Sequence, residues 1–175
     1  MELGQIIILI GPKHSGKTLA GRALARIMSL DFLDLDEAVE METRKSPRTL
    51  YKEGPEIFKK AESSALAHIL SQKKGIILAA GGGLVDNQEA LILLKDNPHV
   101  MLVYLEVSAD TAWRRILSAG EELPPFLNTA NPRETHSALH IRRAREYKTL
   151  ARFCIDGENK EIEDLANEIA EKIEA

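Results

Sequence analysis

Ile6-Ile7-Ile8-Leu9-Ile10 followed by Gly11-Pro12-Lys13-His14-Ser15-Gly16-Lys17-Thr18 is the stretch on which the reading of this chain turns. Its second part fits the phosphate-binding loop pattern G-x-x-x-x-G-K-[ST] without a mismatch. Its first part is an apolar run of strand length, and beyond the loop Leu19, Ala20, Ala23, Leu24 and Ile27 recur at helical spacing. Strand, loop and helix in that order are the context the pattern needs. The glycines let successive backbone N–H groups turn inward toward a polyphosphate, and the following helix presents its positive N-terminal end to it. Gly11, Lys13, His14, Ser15, Gly16, Lys17 and Thr18 are therefore the candidates for holding ATP. Lys17 would track the outer phosphates, and the Thr18 hydroxyl would reach a Mg²⁺ ion.

The rest of the composition narrows the class. At 175 residues the chain is expected to form one domain spanning 1–175. A net charge of −4 provides no general pull toward nucleic acid or an anionic membrane. The lone cysteine, Cys154, excludes an intramolecular disulfide and suits a reducing cytoplasm. The N-terminal segment carries Glu2, lacks a basic region and has an apolar run too short to span a bilayer, so it reads as a strand and not as a signal. Trp113 and Cys154 are expected in the core.

Four more strands are expected, at 32–35, 75–80, 99–105 and 152–155. Helical patterns cover 17–29, 36–44, 55–71, 87–95, 109–118, 133–149 and 161–174, and residues 45–54 receive no element. Strands alternating with helices imply an α/β fold with a doubly wound parallel sheet, whose ligands sit beyond the carboxyl ends of the strands. Three such ends carry chemistry: the loop after the first strand, Asp34 and Asp36 after the second, and Gly81-Gly82-Gly83 after the third. Residues 119–132 lack periodicity and contain Gly120, Pro124, Pro125 and Pro132, which marks a mobile excursion and a candidate lid.

Asp34 and Asp36 alternate at a strand end, so their side chains are expected on opposite sides, one toward metal and phosphates and one toward an acceptor hydroxyl. Helix capping by Asp36 is the competing reading. The glycine run either exposes N–H groups to a ligand or is a plain turn. The segment 137–148 concentrates Arg142, Arg143 and Arg145, most of them a solvated face, with one available to hold an anion. His136 and His140 are spaced as metal ligands can be but lack the intervening glutamate of the zinc-protease pattern.

In that order, these residues resemble the shikimate kinases over nearly the whole chain. The matching positions are Gly11–Thr18, Phe32-Leu33-Asp34-Leu35-Asp36, Glu40, Phe58 and Glu62, Gly81-Gly82-Gly83, Val103-Tyr104-Leu105-Glu106, Arg143 and Tyr147. The resemblance implies a five-stranded parallel sheet of order 2-3-1-4-5 of the P-loop NTPase type. It implies ATP with Mg²⁺, transfer of the γ-phosphoryl group to the 3-hydroxyl of shikimate, and a place in aromatic amino acid biosynthesis. It assigns the metal to Thr18 and Asp34, and catalysis to Lys17 and Asp36. Asp36, Lys59, Gly81, Gly82, Gly83 and Arg143 would meet the substrate, and Arg114 or Arg115 the adenine. A cytoplasmic monomer acting on ATP and a small hydroxy acid, with neither nucleic acid nor membrane as partner, is the corresponding expectation.

The chain departs from the family in three places. Lys59 stands where an arginine is expected to grip the substrate carboxylate. The lid reads Leu123-Pro124-Pro125-Phe126-Leu127 instead of Arg-Pro-Leu-Leu, leaving Lys13 or Arg133 to supply its charge. Basic residues near the last strand are reduced to Lys160. A kinase for another polyol acid such as gluconate, or a nucleotide-binding module with little transfer activity, are the alternatives these departures raise.

Overall fold

A computed structural model describes residues 5–72 and 75–175, so Glu2 lies outside the described residues. The strands are β1 (Ile6–Ile10), β2 (Asp31–Asp34), β3 (Ile76–Ala79), β4 (Val100–Glu106) and β5 (Phe153–Asp156). The helices are α1 (Lys17–Met28), α2 (Leu35–Thr43), α3 (Pro47–Glu53), α4 (Pro55–Gln72), α5 (Gln88–Lys95), α6 (Ala109–Ser118), α7 (Pro132–Leu150) and α8 (Ile162–Glu174). All strand pairings are parallel, in the order β2-β3-β1-β4-β5. Every element expected from periodicity is present to within about a residue at each end.

The unbroken apolar run of β1 follows from its central place. Alternate side chains point to opposite faces, and both faces are covered. Ile6, Ile8 and Ile10 pack with Leu35, Leu66, Leu78 and Tyr104 on one side. Ile7 and Leu9 pack with Leu24, Ile77, Val103, Leu165 and Ile169 on the other. Helices α1 and α8 close the second face together.

Two expectations fail. Residues 45–54, which received no element, contain α3, started by Ser46 accepting from the Thr49 N–H and by Pro47 in the first turn. Its single buried residue, Leu50, gives no periodicity to detect. Cys154, expected in the core, is exposed on β5, which pairs only with β4 and so lies at the sheet edge. Residues 119–132 are not featureless either, because Pro125–Leu127 form a short 3₁₀ turn with Leu127 buried. Among the described residues no helix is long and apolar enough to cross a membrane.

If β1 is the common wall of both half-cores, truncating it is costly. Ile8→Ala should lower unfolding free energy by about 2–5 kcal/mol in urea titrations. Ile92→Ala, at an exposed site on α5, should stay within about 0.5 kcal/mol.

Candidate active site

The loop after β1 turns on two glycines that no other residue could replace without strain. Gly11 has φ +148°, and a Cβ there would lie 2.6 Å from the Leu105 carbonyl oxygen. Gly16 has φ +98° and hands the chain to α1. Inside the loop the Lys17 ammonium donates to the carbonyls of Gly11 (3.0 Å) and Pro12 (2.7 Å) and to Ser15 Oγ (3.4 Å). Burial lowers its pKa to about 8 although the carboxylates of Asp36 and Asp34 pull the other way. A buried ammonium held only by neutral oxygens is poised to exchange them for anionic ones.

Opposite the loop, β2 ends at Asp34 and α2 begins at Leu35, so the alternation argument for the two aspartates does not apply. Asp34, not Asp36, caps α2: its Oδ1 accepts from the Asp36 N–H at 3.0 Å. Its Oδ2 accepts from the Thr18 hydroxyl at 2.8 Å. Asp36 follows in the first turn, and both carboxylates line the same cavity. Burial and the neighbouring Asp34 charge raise the pKa of Asp36. Glu62 on α4 completes the acidic group. Burial pushes it up to about 7 even though Asn87 Nδ2 donates to its Oε2 at 2.9 Å, and its Oε1 has no partner among the described residues.

The glycine turn after β3 is a packing requirement before it is anything else. A Cβ on Gly82 would sit 2.8 Å from the Lys13 backbone nitrogen, so this turn and the phosphate loop touch backbone to backbone. On Gly81 it would meet Glu62 Oε1 at 3.0 Å and Asp36 Oδ1 at 3.2 Å. The Gly82 carbonyl accepts from the Tyr147 hydroxyl (2.6 Å) and Arg143 Nη1 (3.0 Å). Asn87, which caps α5, anchors the following 3₁₀ turn to Ser63 and Glu62.

These parts enclose a cavity of about 710 Å³. Lys13, His14, Gly16, Lys17, Thr18, Asp34, Asp36, Gly81, Gly82, Gly83, Arg115 and Arg143 line it, so most of the expected site residues come together. Gly11 and Ser15 stand behind the surface as acceptors for Lys17. Arg143 donates from Nε and Nη2 to Asp86 Oδ2 (2.9 and 2.6 Å) and lies over the Phe126 ring. Burial alone would raise Asp86, but Arg143 and Arg142 outweigh it and hold the carboxyl low.

Other expected residues are not drawn in. Lys59 pairs with Glu56 at 2.8 Å and does not line the cavity. Arg114 turns to Thr111 while Arg115 reaches the His14 carbonyl, so only the second arginine faces the cavity. Arg133 pairs with Asp110, leaving Lys13, 3.4 Å from Glu121, as the nearer cation to the lid. The segment 119–132, expected as a lid, contributes Ala119, Pro124, Pro125 and Phe126 to the lining. His136 packs between Trp113 and His140 with its ring tilted to both, and burial pushes it down to about 4. Sequence reading missed Arg48 and Tyr51, which line the cavity from α3. The Ser46-Pro47 helix start was the available signal.

Comparison with known proteins agrees with this geometry. The family model for shikimate kinase matches residues 13–174. A shikimate kinase of Bordetella avium is 37% identical over 97% of this chain and 79% of its own. One from Thioalkalivibrio sulfidiphilus is 36% identical over 94% and 84%. Among solved structures, the shikimate kinase from Acinetobacter baumannii in complex with shikimate superposes with a TM-score of 0.86 at 30% identity, covering 97% of this chain and 92% of that one.

The buried Glu62 makes a testable contribution to stability. Its carboxyl titrates near 4.5 when unfolded and near 7 when folded. Between those values only the folded state holds the proton, so its contribution is complete below about pH 4.5 and is lost as pH rises through about 7. His136, pushed down to about 4, contributes the opposite slope at the acid end of this range, so the Glu62 contribution is read as a difference: the wild-type urea midpoint minus that of Glu62→Gln should fall from about pH 5 to about pH 8. Equal slopes in both proteins would contradict the burial argument.

Proposed function

The chain belongs to the shikimate kinase family, and on that premise we propose that it transfers the γ-phosphoryl group of ATP to the 3-hydroxyl of shikimate within this cavity. The observation that carries the residue roles is the convergence of Lys17, Thr18, Asp34 and Asp36 on one cavity that the glycine turn also borders. Phosphoryl transfer asks little covalent chemistry of a protein and much positioning and charge stabilisation. Backbone N–H groups of the loop and the N-terminal end of α1 hold the phosphates. The Lys17 ammonium follows the transferring group as its charge develops, and its burial strengthens that contact.

The residues present fit a Mg²⁺ ion. Thr18 Oγ1 and Asp34 Oδ2 already lie 2.8 Å apart, an alcohol and a carboxylate side by side. Among the described residues there is no larger group of acidic, His or Cys side chains that would cage a metal on its own. Magnesium in such sites takes most of its ligands from water and phosphates. When bound it neutralises charge between the outer phosphates. Asp36, two residues beyond Asp34 in the first turn of α2, accepts or orients the proton of the attacking hydroxyl. Its raised pKa makes it a better proton acceptor than an ordinary aspartate. The acid is held from the other end of the cavity, where Arg143 is fixed by Asp86 and Phe126. Solubility in the cytoplasm, Mg²⁺ dependence and a role in aromatic amino acid biosynthesis accompany this reading.

Two substitutions separate the roles. Lys17→Ala should lower kcat by on the order of 10²–10³ with an unchanged circular dichroism spectrum. A near-normal rate would contradict the kinase chemistry. Asp36→Asn should lower kcat by roughly 10²–10⁴ while ATP affinity, read by titration calorimetry, moves little. Collapse of ATP affinity in that variant would place Asp36 with the metal instead.

A further inference from the structure

The acceptor side of the cavity holds two guanidinium groups, and they differ in how far their charge is already satisfied. Arg143 makes two hydrogen bonds to Asp86, which Arg142 also contacts at 2.6 Å. Arg48, on the first turns of α3, has one carboxylate partner among the described residues, Glu122 Oε2 at 3.1 Å from Nη1. That partner belongs to the lid and is 76% exposed, so the pair is a weak one. The other contacts of Arg48 are to lid backbone: Nη2 donates to the Glu122 carbonyl at 2.6 Å, and Nη1 to the Leu123 carbonyl at 3.1 Å. A guanidinium carries five N–H donors. Three bonds to the lid leave two for a ligand.

The surroundings are built to keep this arginine at the cavity wall. Tyr51 lies one turn on and faces the same way, edge-on to Phe126 with ring centroids 6.5 Å apart. Phe126 in turn lies beneath Arg143, with the guanidinium carbon 5.3 Å from the ring centroid. Arg48, Tyr51, Phe126 and Arg143 thus form a continuous wall made of two cations and two rings, and all four line the cavity. Of the other cations in this region, Lys59 is paired with Glu56 and Lys52 lies 3.7 Å from Glu122 Oε2, and neither lines the cavity.

We infer that Arg48 binds the carboxylate of the acid substrate, and that the lid is tied to the acid through the same guanidinium. The acid displaces the exposed Glu122 carboxylate, while the two lid carbonyls stay on the arginine and hold the lid over the filled cavity. This inference rests on the acceptor being a carboxylic acid, as in the proposed function, and adds the residue that recognises it. A planar fork suits a carboxylate in a way that an ammonium does not.

The test is titration calorimetry of shikimate and of shikimate methyl ester against the full chain, with ATP affinity measured on each variant as the check on folding. Arg48→Ala should weaken shikimate binding about ten- to a hundred-fold, leave ATP affinity unchanged, and weaken the ester far less. Arg48→Lys should recover part of the loss. Glu122→Gln, which removes the competing carboxylate, should tighten shikimate by up to about five-fold. Wild-type affinity in Arg48→Ala, or equal losses for acid and ester, would overturn the assignment while leaving the kinase reading intact. A ten-fold loss in Lys59→Ala with none in Arg48→Ala would overturn it in favour of the lysine. If the wild-type chain binds no shikimate at all, the acceptor reading itself fails and this inference with it.

Discussion

The site depends on two turns and the end of a neighbouring strand that touch with no room for side chains between them. β3, β1 and β4 are neighbours in the sheet, so their carboxyl ends emerge together. Gly82 lies so close to the Lys13 nitrogen, and Gly11 to the Leu105 carbonyl, that a Cβ at either would sit under 3 Å from backbone. Those contacts set the spacing between the phosphate loop and the turn on the acceptor side. Tyr147 and Arg143 then lock the acceptor-side turn through its Gly82 carbonyl, and Tyr147 is itself stacked on Tyr104 of β4 at 5.1 Å. The phosphoryl donor and its acceptor must be held about 3–3.5 Å apart, and rigid backbone contacts maintain such a distance better than long side chains do.

The second constraint is electrostatic. Lys17 and Glu62 are buried beside a half-buried Asp36, which is costly without ligands and shifts every one of them toward its neutral form. The unpartnered Glu62 Oε1 is part of that cost. Polyphosphate and metal would bring the charges that Lys17, Asp34 and Thr18 lack, so in this account the site reaches balance only when filled. The departure at the lid fits the same logic. With no arginine between Arg115 and Arg133, the segment 119–132 presents Phe126 and two acidic residues that pair with cations on the loop and on α3.

What could be read in advance followed from how strong each local signal was. The β1–loop–α1 unit, the apolar strands and the long helices carry many agreeing residues, and they sit where expected. Helix α3 did not announce itself because seven residues with one buried leucine have no measurable period. Its capping serine and following proline were the only cues, and with α3 unassigned Arg48 and Tyr51 went unnoticed. Asp34 and Asp36 were identified as functional, but their directions were misjudged because the strand ends one residue sooner than the pattern suggests. Lys59 was placed by family position alone, and the nearby Glu56 draws it away from the cavity. Cys154 looked internal from its apolar neighbours, whereas an edge strand exposes alternate residues.

This cavity should carry one phosphoryl group from ATP to shikimate for each turnover. Product analysis by phosphorus NMR, with ADP release followed in the same sample, tests it most directly. With ATP, Mg²⁺ and a panel of shikimate, quinate and gluconate, ADP release should require shikimate and match, mole for mole, a single new phosphate monoester on the 3-oxygen. Equal turnover with gluconate, or ADP release with no phosphorylated acid, would contradict the account.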